Sequence, residues 1–171
     1  DGYFFYSERC NGLQYAFEKM VGGLTDLYLY AGLKEAKDLL EIITDWAQAH
    51  LPKYRCSANG TRSGFTGGNT AIHGIDNEWY TLPENLYRMY LASGGERYKS
   101  FAGEWHYDYY WDALQYGNPE VMTGVHGYSH VNTLNSAAYA YLVTGKEKYL
   151  TTILKGYDLF QRHQRMGSGG F

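Results

Sequence analysis

The chain has 171 residues, 44% of them hydrophobic, with 15 basic and 18 acidic side chains for a net charge of -3. That length and balance describe one globular domain with a sizeable core, and no lysine or arginine cluster supplies the footprint that nucleic acid requires. No run approaches the ~20 apolar residues of a membrane helix, and residues 1–25 lack the parts of a signal peptide, which leaves a mature secreted chain open.

Aromatic residues are the unusual total, at 18% with 19 tyrosines and four tryptophans. Their flat apolar faces and polar tips suit stacking on sugar rings, and they equally fill wide helical cores. Cys10 and Cys56 have no metal-ligand spacing and cannot be paired from sequence. Asn59-Gly60-Thr61 is an acceptor tripeptide for N-glycosylation.

The first helix is predicted in "GLQYAFEKMVGGLTDLYLYAG", where Leu13, Phe17, Met20, Val21, Leu24, Leu27, Tyr28 and Ala31 recur at the helical period. Gly22 and Gly23 weaken it by roughly 1 kcal/mol each relative to alanine, a cost accepted where another backbone comes close. Gly32 ends it. A second helix follows in "KEAKDLLEIITDWAQAH", with Ala36, Leu39, Leu40, Ile43 and Ala47 as its stripe, and Pro52 stops it. Residues 53–77 are rich in glycine, serine, threonine and asparagine and read as a long loop, a common binding element.

The third helix is announced by "TLPENLYRMYLASGG", in which Thr81 and Glu84 have capping-box spacing and Pro83 fits the first turn. A fourth is predicted through "ERYKSFAGEWHYDYYWDALQYG", with Tyr98, Phe101, Ala102, Trp105, Tyr109 and Ala113 inward. Trp105, Tyr107, Tyr109, Tyr110 and Trp111 read as packing between neighbours. The fifth, "SHVNTLNSAAYAYLVTG", is capped near Ser129 and ended by Gly145, and the sixth is "EKYLTTILKGYDLFQRHQ".

Six helices make three hairpins, with starts expected near residues 12, 34, 82, 96, 129 and 147. Their corners, "LYLYAGLKEA", "MYLASGGERY" and "AYLVTGKEKY", repeat at Gly32, Gly94 and Gly145, 62 and then 51 residues apart. That period suits long hairpins stacked around an axis. The first helix of each hairpin carries the small residues Gly22 and Gly23, Ala92, or Ala137, Ala138 and Ala140, and is expected inside.

With these corners and the segments "EKMVGGLTDLYLYAG", "NEWYTLPENLYRMYLASGGERY" and "SHVNTLNSAAYAYLVTGKEKYL", the chain resembles the beta-L-arabinofuranosidase family, glycoside hydrolase family 127 and its relatives. The likeness covers nearly all of residues 11–170 and includes the His130-Val131-Asn132-Thr133 motif. It implies an all-α fold, an (alpha/alpha)6 toroid of which residues 1–171 supply about three hairpins. The final "MGSGGF" resembles the segment that leads, in the family, toward the catalytic glutamate and the zinc-binding cysteines. The resemblance therefore implies a fragment of a longer chain, with no catalytic residue or metal within it and zinc in the full-length parent. It also implies a plant or algal glycan as substrate, beta-L-arabinofuranosides foremost, and a partner at exposed apolar flanks, either the rest of the toroid or another copy. A parent acting on polysaccharide belongs outside the cell or in a periplasm. A non-catalytic helical-repeat scaffold or glycan-binding module would share the corners and aromatic walls.

The same resemblance makes His130 a sugar-hydroxyl contact at the start of an inner helix, where free N–H groups gather. Capping or packing is the alternative role for His130, and capping for Asn132. His126, with Gly124, Gly127 and Tyr128, either lines a pocket or forms a plain connection. Glu84 and Glu78 match acidic positions of the family and could bind sugar hydroxyls, although the capping box alone accounts for Glu84. Glu18 either joins that site or is a solvated charge. Tyr80, with Tyr15 and Trp79, could stack on a sugar, and a core role also fits each. His50, His73, His106 and His163 have no companion that makes them ligands.

Overall fold

The computed structural model describes residues 1–5, 13–51, 55–56, 62–63 and 78–170. The described residues form an all-α fold of seven helices: α1 (Leu13–Tyr30), α2 (Lys34–His50), α3 (Leu82–Ser93), α4 (Glu96–Gly103), α5 (Asp108–Gln115), α6 (Gly127–Thr144) and α7 (Glu147–His163). A two-residue antiparallel pairing, Arg55–Cys56 with Arg62–Ser63, is the sole β structure among them. The expectations for Cys10, for the Asn59 tripeptide and for most of the 53–77 loop lie outside the described residues. None of the described helices is long and apolar enough to cross a membrane.

Three hairpins stand side by side. Helices α1, α3 and α6 form one row, and α2, α4 with α5, and α7 pack behind them. Each corner turns on a glycine in the left-handed region, Gly32 (φ 68°), Gly94 (φ 71°) and Gly145 (φ 66°), where a Cβ would be strained. The repeated corners of the sequence are thus three copies of one helix-ending device.

The row runs parallel. Glu18 and Asp26 of α1 meet Asn85 and Arg88 of α3 in that order, and Tyr80 and Glu84 meet Thr133 and Ser136 of α6. The helices are also staggered: Asn85, fourth in α3, abuts Gly22, tenth in α1, and Glu84, third in α3, abuts Ser136, tenth in α6. At 1.5 Å per residue, α1 and α6 project ~9 Å beyond the start of α3. A short 3-10 turn, Trp79–Thr81, packs against both projecting ends and floors the notch between them.

Four expectations change. The fourth helix breaks at Glu104–Tyr107 into α4 and α5, and the change of phase buries Tyr107, Tyr110, Trp111 and Leu114 in place of Tyr109 and Ala113. The capping box does not form, because the Thr81 hydroxyl donates to the Glu78 carbonyl (2.9 Å) and the Glu84 N–H donates to Ser136 Oγ (3.2 Å). Ser129 does not cap α6; His126 precedes the helix, and Ser129 is fully buried. Finally, α1 buries Gln14, Glu18 and Thr25 with Phe17, Val21 and Gly22, and leaves Met20 and Leu27 exposed. The polar contacts of its stripe are what aim Glu18 at α3.

The paired glycines of α1 divide by role. A Cβ on Gly22 would lie 2.9 Å from Asn85 Nδ2 and 3.1 Å from its Cγ, whereas one on Gly23 meets nothing within 4 Å. Asn85 cannot yield easily, being bonded to Glu18 and to Arg88. Gly23→Ala is therefore expected to stabilise the protein by about 0.5–1 kcal/mol, the intrinsic helix gain. Gly22→Ala is expected to destabilise by about 1–2 kcal/mol as overpacking overrides that gain. Chemical denaturation of the two variants checks the opposite signs.

Candidate functional site

The notch gathers groups from α1, α3 and α6, the three helices of the row. From α1 come Glu18 and Lys19, whose ammonium lies 2.7 Å from Glu18 Oε2 and 4.8 Å from the centre of the Tyr15 ring. The buried side chain of Asn85, on α3, donates to Glu18 Oε1. Glu78 and the 3-10 turn form the floor, Glu84 stands on the first turn of α3, and His126 and Tyr128 come from the start of α6. Tyr15 and Tyr128 are both exposed, so two aromatic faces flank the charged centre. Tyr128 is near enough to Lys19 to act on its charge.

The carboxylates feel one another. Burial raises Glu18 above the usual carboxylate range despite its bonds to Lys19 and Asn85, and Glu78 adds to the rise. Burial likewise raises Glu84, offset in part by a hydrogen bond from Asn135 and reinforced by Glu18. On Lys19, burial opposes the charge, but the bond and the charge of Glu18 prevail and hold it above the ordinary lysine value. A site of this kind concentrates hydrogen-bonding capacity in a partly dry recess.

His126 reaches that recess, and its Nδ1 lies 3.0 Å from Glu78 Oε1. His130 does not. It is completely buried behind the notch, its ring against Tyr80, Tyr107 and Tyr110 at centroid distances of 4.6, 5.8 and 5.0 Å. Its Nδ1 lies 2.9 Å from the His126 carbonyl and 3.2 Å from the Tyr80 hydroxyl. The expectation of a sugar contact at His130 is corrected by this burial, and the packing role is the one observed. Tyr80 is buried as well, its hydroxyl 2.7 Å from Ser129 Oγ, so its ring offers no face to a ligand. Asn132 makes no cap and accepts from Asn135 near the surface.

Helix α6 acts as the template for the floor. Thr133 Oγ1 donates to the Tyr80 carbonyl (2.7 Å) and accepts from Trp111 Nε1 (3.1 Å), while Ser136 Oγ donates to the Thr81 carbonyl (3.2 Å). The small hydroxyl residues of "NTLNSAA" thus place Glu78 and Glu84. Sequence reasoning missed Lys19, Asn85 and Asn135 in the site. Asn85 follows Glu84 and lies one helical turn before Arg88, a polar run on α3 that was the available signal.

Beside the notch, a groove of about 300 Å³ runs between the start of α6 and the end of α7, lined by Met122, Val125, Tyr128, Val131 and Phe160. Among the described residues no three His, Cys, Asp or Glu side chains group as metal ligands, so no metal is placed on them. No family model, curated protein or solved structure matches the chain. The chemistry of the notch and the sequence resemblance therefore carry the reading of function.

Proposed function

We propose that the chain supplies part of the sugar-binding surface of a glycoside hydrolase of the beta-L-arabinofuranosidase type. One observation carries this reading: the staggered helices α1, α3 and α6 bring Glu84, His126 and Lys19 into one notch above Glu78, between the exposed rings of Tyr15 and Tyr128. A sugar presents hydroxyls at its rim and C–H groups on its faces. Charged donors and acceptors serve the first, aromatic faces the second. Glu84 and His126 bind, with Glu78 sealed beneath them; the acid, base and any zinc belong, by the resemblance, to residues beyond this set. A non-catalytic glycan-binding module is the second reading, favoured by the engagement of Glu18 and Glu78 with neighbouring protein groups.

The test is to incubate the protein with aryl beta-L-arabinofuranosides and other aryl pentosides, following aryl alcohol release and, separately, saturation-transfer NMR of methyl glycosides. Binding is expected, and His126→Ala or Glu84→Gln is expected to weaken it roughly tenfold or more, the effect of about 1.4 kcal/mol or more in lost hydrogen bonding, with little change in melting temperature for Glu84→Gln. Binding without release in the full-length polypeptide would favour the module. Absence of binding to every pentoside would overturn both readings.

A further inference from the structure

Glu78 is the sole non-glycine residue with positive φ among those described, at 38°. Left-handed backbone costs a residue with a side chain about 1–2 kcal/mol, and here Thr81 holds it, donating both its N–H (3.1 Å) and its hydroxyl (2.9 Å) to the Glu78 carbonyl. The strained turn has a result: the Glu78 side chain, 5% exposed, is sealed beneath the notch with Oε1 against His126 Nδ1, on a ring 36% exposed. The other carboxylate oxygen, Oε2, is buried with no hydrogen-bond partner among the described residues.

The groups that can only accept constrain where the protons lie. The His126 carbonyl can only accept, so His130, 2.9 Å away, carries its proton on Nδ1. The Tyr80 hydroxyl faces that same N–H at 3.2 Å and lies 2.7 Å from Ser129 Oγ. Ser129 in turn has the His126 carbonyl at 3.4 Å for its proton, and its oxygen is 3.0 Å from His126 Nδ1. The Glu78 carboxylate can only accept from Nδ1, and the Ser129 hydroxyl oxygen beside it can accept as well. The imidazole proton therefore sits there, and Nε2 on the opposite edge of the ring is its acceptor.

We propose that Glu78 is a positioning residue that fixes His126 in the Nδ1–H tautomer, so that Nε2 accepts a hydrogen bond from a ligand hydroxyl in the notch. The ligand class follows from the charges. A neutral alcohol donates to Nε2, whereas a carboxylate or phosphate brings no proton and meets Glu78 and Glu84. That the alcohol belongs to a sugar rests on the reading above; the tautomer does not.

The measurement is the ¹⁵N long-range correlation spectrum of His126, taken on the whole protein at a pH where the ring is neutral and assigned with His126→Ala. The wild type is expected to show Nδ1 protonated and Nε2 bare. Glu78→Gly removes the carboxylate while accepting the positive φ. It is expected to melt no lower than Glu78→Ala and to revert to the Nε2–H form that free histidine prefers. Methyl beta-L-arabinofuranoside is expected to shift the Nε2 resonance of the wild type and to bind Glu78→Gly at least tenfold more weakly. A wild-type ring protonated on Nε2, or an Nδ1–H form that persists in Glu78→Gly, overturns the positioning role. The predicted tautomers without any shift on adding the pentoside or other polyols overturn the ligand instead, and the sugar reading with it.

Discussion

His130→Ala will unfold at a melting temperature roughly 10 °C below the wild type, the equivalent of about 3–5 kcal/mol for a chain of this size. The ring is completely buried, and its removal leaves a cavity walled by Tyr80, Tyr107 and Tyr110. The His126 carbonyl and the Tyr80 hydroxyl each lose one hydrogen bond, worth about 0.5–1.5 kcal/mol, while the carbonyl keeps the backbone N–H of residue 130 (3.1 Å) and the hydroxyl keeps Ser129 Oγ (2.7 Å). His130→Asn separates these parts. Its amide can donate where Nδ1 stood, so it is expected to recover about 1–2 kcal/mol while the cavity remains. His126→Ala provides the contrast, since its partly exposed ring fills no core and its loss is read in ligand binding. Should His130→Ala melt like the wild type, the tyrosine cage is not the packed unit described here.

The corners of the fold were legible because one physical requirement, a residue tolerant of positive φ after an apolar helix end, leaves the same glycine each time. Gly32, Gly94 and Gly145 satisfy it, and the starts of α2, α4 and α7 follow. The break between α4 and α5 was not legible. "GEWHYDYYW" contains no proline, its one glycine, Gly103, is the last residue of α4, and its apolar period is continuous if aromatic residues are counted alike. What breaks the helix is tertiary: Trp105, Tyr107, Tyr110 and Trp111 are all buried, which one straight helix could not achieve on a single face.

The candidate site was half legible for a related reason. Glu18, Glu78 and Glu84 were picked out through the family resemblance and His126 from the glycine-rich approach to α6, and the structure brings them together. Their individual roles depended on stagger, which periodicity does not encode. Because α3 begins ~9 Å short of its neighbours, Thr81 is drawn to Glu78 and Glu84 to Ser136, and the local capping box loses to these bonds. The same stagger seats His130 behind the 3-10 turn while His126, one helical turn earlier, reaches the recess. The two histidines of "HGYSH" differ in function by position along α6, with identical chemistry.

His106 will make the protein acid-labile between about pH 6.5 and pH 4. It sits at the α4–α5 break with Tyr87 Oη 2.7 Å from Nε2 and Tyr149 Oη 3.1 Å from Nδ1, its ring against Trp111. Burial pushes its pKa from 6.5 down to about 4; Asp108 resists that shift, and Lys148 and Lys146 add to it. The neutral ring donates from one nitrogen and accepts at the other, so one tyrosine accepts and its counterpart donates. With the folded pKa below the unfolded value, the unfolded chain binds the extra proton throughout this window. Stability is complete above about pH 6.5 and falls as the pH drops toward 4, by roughly 3 kcal/mol in all. Glu18 and Glu84, raised by burial, act in the opposite direction, because the folded state takes up their protons more readily. The difference between wild type and His106→Asn isolates the histidine. His106→Asn is expected to be less stable at pH 7.5 and to lose less stability on acidification, so the two urea-denaturation curves converge toward pH 4. Parallel curves across that range would show that His106 does not remain neutral in the folded protein.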